Sequence, residues 1–220
     1  MATVFTELID VIPVGFKEAE KALSSGEPKV RTIMKNVLTE TIKYMEKEIP
    51  RQVMARYAIS PSSLADQSHR ARFRLKATYP TRENLEKGRI VIDSARFPVM
   101  RFNVTPQDVP NQKGIPVSER EIVTVITVKG SAQVGKPNRF LARMKSGHLG
   151  VFMRKPDSTH RRRPDGQNTQ LNISEEHMIS VAEMVRSTRL RPILDQKMRE
   201  KMEQRWNYYV NRNDWLTKLI

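Results

Sequence analysis

The side chains that most often carry chemistry are scattered along this 220-residue sequence. Its histidines have neither the HExxH spacing of a helical zinc site nor a neighbouring Gly-x-Ser-x-Gly nucleophile; they are His69, His148, His160 and His177. Cysteine is absent, which excludes disulfides, Cys-ligated zinc, iron–sulfur clusters and thiol catalysis. The sequence contains neither of the two glycine-rich phosphate-binding motifs, GxGxxG and GxxxxGK followed by Ser or Thr. We therefore expect no enzyme, with no catalytic, cofactor-binding or metal-binding residue and no cofactor.

Carboxylates give no clearer signal. Asp93 follows a strand-like run, and Glu175 and Glu176 stand at a predicted loop–helix boundary. Carboxylates at such places are commonly solvated or cap a helix. We expect these three side chains to have one of those two roles.

Positive charge is the strongest compositional feature. The formal net charge is +15 and the pI is about 10.3, which favours anionic partners such as nucleic acid, acidic lipid or acidic proteins. Residues 155–170 are polar and basic and predict an exposed loop. Candidate contacts with DNA or a partner in it are Lys155, Arg161, Arg162 and Arg163. The alternative reading is a loop that is solvated or docked against acidic residues of a neighbouring subunit.

Two helices stand out by their apolar periodicity. Residues 28–57 carry an i, i+3, i+4, i+7 stripe, with Pro50 expected to end or kink the helix. Residues 191–212 carry a second stripe that includes Trp206 and Tyr209 as core residues. Shorter helices are predicted over 15–24, with Gly26 as the break, and over 178–185.

Between these helices the period changes to that of strands. Residues 73–78 alternate between apolar and basic side chains, and 89–93, 97–104 and 121–129 form further β-branched runs. Residues 105–120 carry three prolines and predict a loop. Residues 140–144 and 150–154 predict two short strands joined by a tight turn, in which Gly147 can adopt a positive φ.

This order of elements predicts an α+β fold, with an antiparallel sheet packed against long N-terminal and C-terminal helices and with extended loops. We expect one domain over residues 1–220. It consists of N-terminal helices at 1–59, a β-rich core at 70–155, a basic loop at 156–172 and C-terminal helices at 173–220. No apolar run approaches the length of a membrane span.

The predicted hairpin carries a resemblance to a known family. Its residues Phe140, Gly147, His148, Phe152 and Arg154 resemble a pattern of the minor tail protein Z family, the tail-completion proteins of lambda-like tailed phages and prophages. In that pattern a phenylalanine precedes Ser/Asn-Gly-His and an apolar-Val-Phe-x-Arg strand, and a variable basic loop follows. Softer similarities in order and spacing extend over about residues 30–212. The chain departs from many relatives at 171–179, which lack a Gly-Pro.

The resemblance implies a structural virion protein at the head-proximal end of the tail, assembled in the host cytoplasm. Such a protein is expected to form a ring of six copies around the DNA channel and to support head–tail joining. Its expected partners are the tail terminator, the tail tube and the stopper or adaptor, with non-specific contact to genomic DNA in the channel and none with membranes. The residues named in the hairpin are then structural. The alternative is a basic nucleic-acid-binding protein that acts outside the particle.

Overall fold

The computed structural model describes residues 4–12, 17–24, 26–65, 73–110, 121–136, 138–154 and 173–213. Within them the fold is mixed α/β, with five α-helices and three antiparallel sheets of three strands each. The sequence predicted a single sheet, so this part of the prediction is wrong. Several strands of unit 2 are only two or three residues long.

The chain divides into two compact units. Unit 1 comprises Met1–Val53, Gln67–Ala95 and Ser180–Ile220, and unit 2 comprises Met54–Asp66 and Arg96–Ile179. One domain over residues 1–220 remains the prediction from the sequence. Each of the two units combines segments that lie far apart in the sequence, and local composition does not reveal such a grouping.

The sheet of unit 1 has the strand order β1 (Val4–Asp10), β3 (Arg89–Ala95), β2 (Arg74–Thr78), with both pairings antiparallel. Its buried face includes Ile9, Ile90 and Ile92. The helix α4 (Val181–Arg186) contacts β1 and β3, and a capping box between Ser180 and Glu183 fixes its start. Strand β1 was not predicted.

Three positions of β1 depart from the usual alternation of a half-buried strand. Val4 and Leu8 are exposed and Glu7 is only 8% exposed, although Ile9 lies on the buried face as usual. Arg186 Nε and Arg191 Nη1 each lie 2.9 Å from a different carboxylate oxygen of Glu7. Two guanidinium groups thus offset the cost of burying this charge.

Three further helices belong mainly to unit 1: α1 (Lys17–Ser24), α2 (Pro28–Arg56) and α5 (Arg191–Arg212). Gly26, with φ of +71°, separates α1 from α2 as expected. Pro50 was expected to end or kink α2; it does not end the helix, which continues to Arg56, close to the predicted end at residue 57. Ile49 and Val53 are fully buried on either side of Pro50, and their burial offsets the missing backbone hydrogen bond.

Helices α2 and α5 run antiparallel, with a polar contact at every turn along one side. Glu48 Oε1 lies 3.1 Å from Lys197 Nζ, and one turn earlier in α2 the Lys201 ammonium lies 5.4 Å from the Tyr44 ring centroid. A further turn back, Glu40 pairs with Arg205 and accepts a hydrogen bond from Tyr209. The spacing of four residues on both helices produces this ladder.

Unit 2 contains α3 (Pro61–Ala65) and two sheets. One joins β4 (Asn103–Thr105), β5 (Thr124–Ile126) and β6 (Val134–Gly135), and the other joins β7 (Arg139–Arg143), β8 (Leu149–Arg154) and β9 (Ile173–Glu175).

Two predicted strands are largely replaced in unit 2. Residues 97–104 form a 3-10 turn at Val99–Arg101 before the short β4, since Pro98 lacks the amide that a continuous ladder needs. Residues 121–129 are a strand only at Thr124–Ile126, with Val128 forming a separate bridge to Tyr57.

Candidate functional site

The hairpin of unit 2 forms where the sequence predicted it. Strands β7 and β8 pair antiparallel, with Phe140 opposite Phe152 and Ala142 opposite Gly150. At the turn, the Gly147 amide donates to the Met144 carbonyl at 2.9 Å, and the Met144 amide donates to the His148 carbonyl at 2.8 Å. We call β7, β8 and β9 together the hairpin sheet.

Two glycines shape the hairpin sheet for different reasons. Gly147 has a φ of +82°, and among the described residues other than its chain neighbours no atom lies within 4 Å of the position a Cβ would occupy. Backbone conformation, not space, therefore calls for glycine there. At Gly150 the reason is steric, because a Cβ would lie 2.8 Å from Phe152 Cζ and 3.0 Å from Glu175 Oε1.

The side chains around Gly150 interlock across three strands. His148 Nε2 lies 2.9 Å from Glu175 Oε1, which connects the end of the turn to β9. The His148 ring meets the Phe152 ring edge-on, with centroids 6.4 Å apart, and the Phe140 ring centroid lies 6.3 Å from that of Phe152. Because period-2 alternation places all of these side chains on one face, Phe140, His148 and Phe152 of the sequence motif form a single contact cluster with Glu175.

Glu176 forms a separate set of contacts near the start of β7. Its carboxylate lies 2.6 Å from Arg139 Nε and 3.2 Å from Lys136 Nζ, and its backbone amide donates to the Val151 carbonyl at 2.8 Å. Glu175 and Glu176 were expected to be solvated or to cap a helix, and that expectation is wrong. Both carboxylates join elements of unit 2, and the side chain of Glu176 is only 13% exposed.

An ion pair reaches the outer end of β7. Arg143 Nη2 lies 3.0 Å from Asp108 Oδ1, and both side chains are more than half exposed. The Val109 amide donates to the same carboxylate, and this hydrogen bond together with the Arg143 charge lowers the pKa of Asp108 below its usual value. Lys145 and Ser146, at the turn, are exposed. The turn end of the hairpin sheet, which we call the charged tip, is therefore positively charged. The face of the sheet that carries Phe140, His148 and Phe152 is fixed by packing.

The remaining predicted residues are only partly located. Arg154 ends β8, with its backbone paired opposite Ile173. The candidate DNA or partner contacts Lys155, Arg161, Arg162 and Arg163 lie outside the described residues. The sequence reading missed Gly150, Glu175 and Glu176 as members of the site. A glycine between the apolar residues Leu149 and Val151 of a predicted strand was the available signal for close packing there.

Within the described part of the chain, no helix is both long and apolar enough to span a bilayer. In the same residues, no group of histidine and carboxylate side chains is arranged to hold a metal ion. Comparison of the chain with protein-family models, with curated proteins and with solved structures finds no match.

Proposed function

We propose that the chain is a structural virion protein of a tailed phage, a tail-completion or neck component at the head-proximal end of the tail. It acts there without catalysing a reaction. It forms a ring, of six copies in the simplest case, around the DNA channel and supports the joining of head and tail.

The observation that carries the proposal is the hairpin sheet. The sequence motif that resembles the phage family supplies the residues of one contact cluster, namely Phe140, His148 and Phe152, with Gly147 at the turn. Such interlocked packing explains why these residue types are needed together, and it gives the motif a physical role in building a rigid surface.

Exposed aliphatic side chains in unit 2 provide a second line of support. Ile122 and Val134 are 59% and 57% exposed, and a Cβ on Gly135 would lie 3.9 Å from Ile122 Cγ2, so Ile122 lies against β6. A ring needs a heterologous contact, in which one surface of a subunit meets a different surface of the next. We assign the sheet edge formed by β6, which carries Val134 and borders Ile122, to one side of that contact, where burial would remove both side chains from water.

In the proposed protein an antiparallel sheet packs against both long helices. The protein is located in the virion, where it contacts the tail terminator, the tail tube and the stopper or adaptor. Assembly then takes place in the host cytoplasm.

The test begins with the mass of the purified protein in solution, alone and mixed with phage tails that lack their completion protein. We expect a ring-sized assembly alone or on the tail ends, and restored joining of those tails to heads. The double variant Ile122→Asp/Val134→Asp should lose both properties while keeping its melting temperature, because its new charges would have to be buried in the ring contact.

The matched control is Thr188→Asp/Asn207→Asp, which adds the same charge at two exposed polar positions of unit 1. It should assemble and join like the original chain. A stable monomer that neither binds tail ends nor restores joining would overturn the proposal. If that monomer also bound free DNA, it would support the alternative of a nucleic-acid-binding protein outside the particle.

A further inference from the structure

We propose that the exposed side of α2, together with the adjoining edge of α5, binds the phosphate backbone of double-stranded DNA. We call this surface the α2–α5 face and define it by Lys43, Lys47 and Arg51 on α2 and by Lys201, Tyr208 and Arg212 on α5. All residues of the α2–α5 face belong to unit 1. Binding of DNA by this face does not depend on the proposed function at the phage tail.

Helix α2 separates its charges by sign. Within unit 1, every exposed residue of α2 after Pro28 is a lysine or an arginine: Lys29, Arg31, Lys43, Lys47 and Arg51. Its carboxylates are buried or half-buried, and each contacts a neighbouring side chain. Glu46 accepts a hydrogen bond from Tyr79 at 2.9 Å, while Glu40 and Glu48 contact α5. The solvent therefore meets a helix surface that is cationic along its length.

Three of these cations form a row. Lys43, Lys47 and Arg51 follow one another at intervals of four residues, which places them about 6 Å apart along one side of the helix. Lys43 and Lys47 form no ion pair with a carboxylate in the described part of the chain, and the Arg51 side chain, 3.6 Å from Glu48, is 77% exposed. The row is thus available to an anionic partner.

The edge of α5 continues the positive surface. Two guanidinium groups lie close to the Tyr208 ring, with Arg205 at 4.5 Å and Arg212 at 5.2 Å from its centroid. Arg212 also donates to the Tyr208 hydroxyl, so that its charge is held at a fixed place. Because Glu40 already pairs with Arg205, Arg212 carries the net charge of this group.

The composition of the face distinguishes DNA from an acidic protein as its partner. Protein–protein interfaces have an apolar centre from which lysine is depleted. Among the described residues of unit 1, the exposed large hydrophobic side chains are Val4, Leu8, Tyr79 and Tyr208, and only Tyr208 belongs to this face. Regularly spaced cations without an apolar centre suit the repeating charge of a phosphate backbone.

The test measures binding of a short fluorescein-labelled DNA duplex by anisotropy over a series of salt concentrations. The original chain should bind with an affinity that falls steeply as salt rises. The triple variant Lys43→Gln/Lys47→Gln/Arg51→Gln should reduce the slope of log K against log salt by about 2–3, and weaken binding by about tenfold or more at moderate salt. Circular dichroism should show unchanged folding, since all three side chains are exposed.

The control is Lys87→Gln/Lys129→Gln/Arg189→Gln, which removes the same three charges at exposed positions outside the face. It should bind DNA almost as well as the original chain. Equal weakening by the two triple variants would overturn the proposal, because binding would then depend on net charge alone. Tight binding of poly-glutamate without binding of the duplex would overturn it in favour of an acidic protein partner.

Discussion

The hairpin sheet and the α2–α5 pair both join separate elements through carboxylate contacts, but they depend on them to different degrees. In the hairpin sheet, the His148–Glu175 pair crosses a gap that exists only because Gly150 has no side chain. In the helix pair, contacts at Glu40, Tyr44 and Glu48 repeat at every turn, above a core of fully buried residues such as Met45 and Ile49.

The two regions should therefore respond differently to substitution. Where the packing depends on the absence of one side chain, a single substitution disrupts it, because close-packed neighbours cannot move apart freely. A structure that rests on repeated contacts loses one part at a time. The hairpin sheet should therefore be sensitive to the volume of a single atom, and the helix pair should respond to charge and to pH.

The largest effect is expected from Gly150→Ala in the hairpin sheet. The added Cβ would overlap Phe152 and Glu175, so that the His148–Glu175 contact and the aromatic packing must shift, at a cost of about 2–3 kcal/mol. Thermal or denaturant unfolding measures this loss. Gly135→Ala is the control, since its Cβ would have one neighbour, at 3.9 Å. If both variants were equally stable, the steric account of Gly150 would be wrong.

A smaller effect is expected from Glu48→Gln in the helix pair. Burial opposes ionisation of Glu48, but hydrogen bonds from Gln52 and Lys197 and the charges of Lys197 and Arg51 outweigh it and lower its pKa. The substitution weakens a charge-assisted contact and should cost about 1–2 kcal/mol at neutral pH. Glu200→Gln, at an exposed position of α5, is the control and should leave the melting temperature nearly unchanged.

The variant Glu48→Gln also tests the direction in which the stabilising contribution of Glu48 depends on pH. Because the pKa of Glu48 is lower in the folded chain, the carboxylate stabilises it above the ordinary value of 4.5, and this contribution is lost as the pH falls through the lowered pKa. The difference in melting temperature between the original chain and Glu48→Gln should therefore shrink under acid conditions. A difference that stayed constant with pH would contradict the assignment.

The smallest effect is expected from Arg143→Gln at the outer end of the hairpin sheet. Arg143 and Asp108 are 52% and 71% exposed, and ion pairs in such positions are screened by water and salt. The melting temperature should not change measurably at moderate ionic strength. A clear loss of stability would show that the charged tip, and not only the glycine beneath it, holds the hairpin sheet together.

Local patterns were sufficient to predict several elements. Apolar periodicity gave the bounds of α2 and α5 to within a residue or two, and the turn at Gly147 followed from the need for a positive φ. The partners of the motif could not be predicted. Glu175 is 27 residues from His148, and nothing in the local pattern indicates which strand will pair with β8.

Strand β1 shows a second limit. Its outward Val4 and Leu8 and inward Glu7 interrupt the usual alternation, which weakens the pattern that predicts strands. The inward Glu7 is explained only by its contacts with Arg186 and Arg191, which lie nearly the whole chain away in the sequence. The break-up of the predicted single sheet has a similar cause, since strand length depends on pairing partners as well as on propensity.

The buried contact of Glu7 also has a consequence for biosynthesis. Its two arginines follow 179 and 184 residues later in the chain, so the ribosome finishes every residue of unit 2 before it makes them. Until then Glu7 has to stay hydrated, and β1 cannot settle in its final environment. Unit 1 is therefore begun first and completed last, and a nascent chain truncated before Arg186 should leave its first strand open to proteolysis.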